Sequence, residues 1–95
     1  MKRFVFDGFL ITSDLNPRSP ATIRVKLYYL DVLIAEGLLN KATRTMPFSL
    51  SGGDDIIASG ELGVDMQPHE ITVWGNIYIG PEHFDGIIAQ YPLPK

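Results

Sequence analysis

The chain has 95 residues, eight basic and eleven acidic side chains, a net charge of −3 and no cysteine. That length builds one domain over 1–95. Lack of cysteine excludes disulfides, thiolate metal sites and cysteine nucleophiles, and lack of any basic run argues against a nucleic-acid footprint.

Met1-Lys2-Arg3-Phe4-Val5-Phe6-Asp7-Gly8 puts two basic residues before apolar ones, but Asp7 breaks the run too early for a signal-peptide core. The longest near-apolar stretch, Leu27 to Ala35, contains Asp31 and is too short to span a bilayer. The expectation is a soluble, cytoplasmic protein without membrane contact. Residues 3–12 are aromatic and β-branched with no helical stripe, which predicts a strand kinked at Gly8. Residues 13–20, with Asn16-Pro17 and Pro20, read as a loop.

Residues 21–39 admit two readings. Ser19 as cap, Pro20 in the first turn, Gly37 as terminator and Ile23, Leu27, Leu30 and Ile34 on one face describe a helix. Against it, Arg24 and Lys26 precede Asp31 and Glu36, the reverse of what the helix dipole favours. Ile23, Val25, Leu27 and Tyr29 also alternate with Thr22, Arg24, Lys26 and Tyr28, which favours strands with a bend at Leu30-Asp31 or Glu36-Gly37. Ser19 to Lys41, through Leu30, Leu33, Glu36-Gly37-Leu38-Leu39 and Lys41, is similar to the recognition helix and following strand of a winged-helix regulator. The two earlier helices of that family have no counterpart in the eighteen upstream residues, so the resemblance carries no expectation for this fold.

Asn40-Lys41-Ala42 reads as a turn, followed by an edge strand containing Pro47, which cannot donate to a ladder. Ser51-Gly52-Gly53-Asp54-Asp55 is a turn, and residues 56–64 are short strand material broken by Gly60 and Gly63. Glu70 to Ile79 has the clearest alternation: Ile71, Val73, Ile77 and Ile79 face one way, Thr72, Trp74, Asn76 and Tyr78 the other. Gly75 leaves a gap in the apolar face, as at a bulge or a close neighbour. Residues 81–86 read as a turn or one helical turn, and 87–91 as a last short strand.

The fold expectation is a mostly β domain, a small antiparallel β-sandwich or barrel. The alternative is α+β, with one helix near 20–36 on an antiparallel sheet. The expected core is Phe4, Phe6, Leu27, Phe48, Ile57, Ile71, Val73, Ile77 and Ile79.

No motif names a reaction. No serine sits in a nucleophile elbow, and His69 and His83 fall at loop–strand junctions. His69-Glu70 and Glu82-His83 flank a ten-residue strand of about 33 Å, too far apart to share a metal. Asp54, Asp55, Glu61 and Asp65 lack the spacing of a calcium loop, and the glycines at 52, 53, 60 and 63 read as turn residues rather than a phosphate cradle. No cofactor, metal or catalytic residue is expected.

The candidate binding residues are Thr72, Trp74, Asn76 and Tyr78, with Tyr28, on non-core strand faces. The expected function is non-catalytic: a protein-binding or self-assembling β module, homodimeric or larger, of the kind used as a bacterial or phage inhibitor or structural component. The first alternative is carbohydrate binding through Trp74 and Tyr78; the second is a small metal-dependent enzyme using His69, His83 and the turn acids.

Overall fold

In the computed structural model, which describes residues 1–16, 18 and 21–93, the chain forms eight strands and no helix among the described residues. They are β1 (Lys2–Phe6), β2 (Phe9–Asn16), β3 (Thr22–Tyr29), β4 (Val32–Leu39), β5 (Thr45–Gly52), β6 (Asp55–Met66), β7 (Glu70–Ile79) and β8 (Glu82–Pro92). Two antiparallel meanders result, β1-β2-β3-β4 (sheet A) and β5-β6-β7-β8 (sheet B), packed face to face. Residues 22–39 are therefore two strands bent at Leu30-Asp31, and the helical alternative is overturned. The proposed helix start at Ser19 and Pro20 and the Pro17 turn lie outside the described residues.

The reversed charge order that disfavoured a helix is explained by the ladder. Glu36 lies opposite Lys26, 3.9 Å away, and reaches Arg24 at 4.0 Å. Cross-strand pairs of opposite charge support a hairpin by a few tenths of a kcal/mol when exposed, about 0.2–1 kcal/mol at most.

Four tight hairpins gather at one end of a 48 × 21 × 19 Å body: Asp7-Gly8, Leu30-Asp31, Gly53-Asp54 and Gly80-Pro81. The first two have positive φ at both central residues, the twist that matches two-residue hairpins. At the opposite end Asn40 caps its own loop, its Oδ1 accepting from the Ala42 and Thr43 amides at 2.8 Å. Lys2 and Leu93 lie near this loop end: Lys2 pairs with Ser13, and the Leu93 amide donates to the His69 carbonyl.

The core forms between the sheets from Phe9, Ile11, Ile23, Val25, Leu27 and Leu39 on one side and Leu62, Val64, Ile71, Val73 and Ile77 on the other. A buried polar link crosses it. The Tyr91 hydroxyl donates to the Ser13 carbonyl at 2.7 Å, and the Ser13 hydroxyl, 2.7 Å from the phenol oxygen, donates back. Both groups are buried yet satisfied, and burial pushes the Tyr91 phenol above its ordinary pKa.

Several expectations need correction. Residues 3–12 are not one strand kinked at Gly8 but two, β1 and β2, because positive φ at both Asp7 and Gly8 reverses the chain, and residues 13–16 are not a loop but continue β2, paired with β3. Ile57 is not core but 38% exposed, because the β5–β6 register shifts between Leu50 and Ser51 and leaves it on the projecting tip; Ala58 takes the inward position. Gly60 and Gly63 are inside β6 rather than in turns. Residues 82–86 are not a turn but the start of β8, because Phe84 packs inward on Phe4 and Phe6, with ring centroids 4.7 and 5.6 Å away.

Candidate functional site

Strand β7 runs between β6 and β8, so its outward side chains lie in the middle of sheet B. Thr72 stands between Asp65 and Gln90, Trp74 between Gly63 and Ile87, Asn76 between Glu61 and Asp85, and Tyr78 between Ser59 and His83. Among the described residues no other segment covers this face: 22–39 belongs to sheet A, and 80–81 is a tight turn.

Trp74 is half-buried for a local reason. Its indole lies on Gly63, where a Cβ would come within 2.2 Å of the ring. An aromatic laid over a cross-strand glycine restores the contact that the glycine lacks. Trp74→Ala should therefore destabilise the domain by about 1–3 kcal/mol, less than loss of a fully buried tryptophan. Denaturant unfolding checks the loss, and the sedimenting mass should stay as in wild type.

Tyr78 and His83 stack with centroids 4.0 Å apart and planes within 5°, while His83 Nε2 donates to Asn76 Oδ1. His83 belongs to this cluster although its sequence neighbours suggested a loop. The clue was the hairpin register: the two-residue turn at Gly80-Pro81 sets His83 directly across from Tyr78. One face of the tyrosine ring is thereby occupied, and Glu61, Asp65 and Asp85 make the surroundings acidic.

Tyr28 does not join this group. It points outward from sheet A, on the other side of the sandwich, in register with Leu10, Leu33 and, through Leu10, Val5. Val5-Leu10-Tyr28-Leu33 forms an apolar row across all four strands of sheet A. Val5 is 72% and Leu33 46% exposed, and Leu30, in the adjoining turn, is 66% exposed. Sequence reasoning missed this row because it needs three strand registers at once, and each residue alone is an ordinary surface apolar side chain.

Toward the loop end of sheet A, a cavity of about 280 Å3 is lined by Asp14, Leu15, Asn16, Thr22, Arg24 and Leu38. His69 and His83 stand toward opposite ends of β7, and among the described residues no three histidine, aspartate or glutamate side chains cluster to hold a metal. Nor does any helix among the described residues have the length and apolarity to cross a membrane.

The fold and its two outward faces define the chain as a small all-β, two-sheet domain. No family model, curated protein or solved structure matches it.

Proposed function

We propose that the protein is a non-catalytic, cytoplasmic β module that works by binding another protein surface, its own or a foreign one. The observation that carries this is the apolar row Val5-Leu10-Tyr28-Leu33 with the exposed Leu30 in the turn beyond it. Contiguous exposed apolar patches of this kind mark contact sites on soluble proteins. This row supports sheet A as the working surface in our reading; of the residues expected from alternation alone, only Tyr28 lies in it. Carbohydrate binding through Trp74 and Tyr78 has less support, since each ring already spends one face on Gly63 or His83.

Leu33→Asp tests the reading. Leu33 is outward and 46% exposed, so the variant should fold with circular dichroism like that of wild type. Coupled to a matrix, wild type should retain a partner, whether soluble copies of itself or a foreign protein, and Leu33→Asp about a tenth as much or less. Equal retention by both chains would remove sheet A from the function.

A further inference from the structure

We propose that the outer face of sheet B binds an arginine-bearing segment of another protein, one guanidinium lying on the Trp74 indole between flanking carboxylates. This surface is separate from the sheet A row and lies on the opposite side of the sandwich.

Residues 45–92, which include all of sheet B, hold seven carboxylates and no lysine or arginine. Three of the seven stand on the outer face around Trp74. Asp65 and Glu61 lie on β6, two residues to either side of Gly63, on which the indole rests; Asp85 lies on β8, across from Asn76. Two residues along a strand are about 7 Å, so the ring has a carboxylate on both sides of it along β6. None of the three makes an ion pair or a side-chain hydrogen bond among the described residues. The cation just before β5, Arg44, is engaged in its own loop, its Nε donating to the Lys41 carbonyl at 3.1 Å.

The indole itself is half-buried because one side of it is laid on Gly63. No aromatic ring or cation among the described residues stacks on the other side. A cation placed there meets the negative face of the ring, with carboxylates beside it. A neutral sugar would draw no comparable gain from those charges.

Arginine suits this geometry better than lysine. Its guanidinium is planar, stacks flat on an aromatic face and directs its N–H groups sideways, toward Asp65 and Glu61, whereas an ammonium is a compact point charge. Two further side chains favour a protein segment over a free small cation. Ile87, beside Trp74 on β8, and Tyr78, further along β7, are 57% and 47% exposed, apolar surface that a peptide covers and a small ion does not.

The test is a fluorescence titration of the full chain, in which Trp74 is the only tryptophan and so reports on this face. Exposed charge pairs are individually weak, so the probe is a blocked tetra-arginine peptide, with tetra-citrulline and tetra-lysine peptides beside it. Tetra-arginine should shift the emission saturably at about 1 mM or less, tetra-citrulline should leave it unchanged, and tetra-lysine should bind at least about threefold more weakly. Raising sodium chloride from about 50 to about 500 mM should weaken the arginine peptide at least about fivefold. At about 150 mM salt, Glu61→Gln with Asp65→Asn should lower its affinity at least about fivefold. Asp54→Asn with Asp55→Asn removes the same charge from the hairpin tip, about 20 Å from Glu61 along β6, and should change affinity less than about twofold. Leu33→Asp, on sheet A, should bind the peptide like wild type, so this site and the sheet A role can fail separately. No saturable shift with tetra-arginine, or an equal shift with tetra-citrulline, would overturn the proposal. So would tetra-lysine binding as tightly as tetra-arginine, or neutralisation of the tip weakening binding as much as neutralisation of the face.

Discussion

Val73→Asp is expected to unfold the domain or leave it insoluble. Val73 is fully buried, with Val64 opposite on β6 and Ala89 on β8, both also buried. No cation or amide side chain is among these neighbours to pair a carboxylate. An unpaired buried charge, or the protonation needed to avoid one, costs several kcal/mol, against a total stability of about 5–15 kcal/mol for a domain of this kind. The adjacent residue gives the control. Thr72 points outward, where its hydroxyl donates to Glu70 at 3.3 Å and Asp65 stands opposite. Thr72→Asp loses that bond and adds like charges, a cost of about 1 kcal/mol, so it should fold and melt only somewhat lower. Thermal melts of the two variants check this; equal melts would mean that β7 presents its faces the other way round.

The second large effect lies across the same ladder. Gly60 in β6 has φ at 152°, and a Cβ there would sit 1.9 Å from the Asn76 carbonyl oxygen and 3.1 Å from the Ile77 Cα. Both atoms belong to the backbone of the central strand and cannot turn aside. Gly60→Ala should therefore cost about 3–5 kcal/mol, combining overpacking with an unfavourable backbone angle. It should also disturb the Asn76–His83–Tyr78 cluster. Gly53→Ala is the contrast: φ is 65°, but nothing lies within 4 Å, so the loss should stay near 1 kcal/mol. Denaturant midpoints for the two alanine variants measure the difference.

The two glycines show where sequence reasoning stops. Gly52-Gly53-Asp54 is a turn by its own chemistry and was legible as one. Gly60 and Gly63 looked alike in sequence, yet each answers to a neighbouring strand: the Asn76 carbonyl in one case, the Trp74 indole in the other. Local composition carries turn propensity but not the approach of a partner strand. Gly75 was legible because its own strand alternates so regularly, and a Cβ there would meet Ile88 at 2.5 Å.

The two-sheet β architecture was legible for similar reasons. Alternation in 22–29 and 71–79, and the charge order Arg24, Lys26, Asp31, Glu36, are consequences of hairpin pairing that survive in one dimension. Register was not. A single shift between Leu50 and Ser51 moves Ile57 out of the core, and the start of β8 hides in Glu82-His83-Phe84-Asp85-Gly86, whose polar residues resemble a turn while Phe84 fills the seam beside β1. The candidate site suffered most. Trp74, Asn76, Tyr78 and Thr72 share a face because they share a strand, which sequence shows directly. Assigning Tyr28 to them required knowing which strands form which sheet, and the four-strand split puts it on the opposite side, among Val5, Leu10 and Leu33.

That separation of Tyr28 from Tyr78 also offers the most direct test. Hydroxyl-radical footprinting, read residue by residue by mass spectrometry, reports both tyrosines in one sample. The partner whose retention depends on Leu33 is added; where it is a second copy, the wild-type concentration is raised from nanomolar to about 100 μM. Tyr28 and Leu33 should then become protected. Trp74 and Tyr78 should be modified to the same extent throughout. Protection of Trp74 and Tyr78 with Tyr28 and Leu33 unchanged would contradict the assignment of the working surface to sheet A.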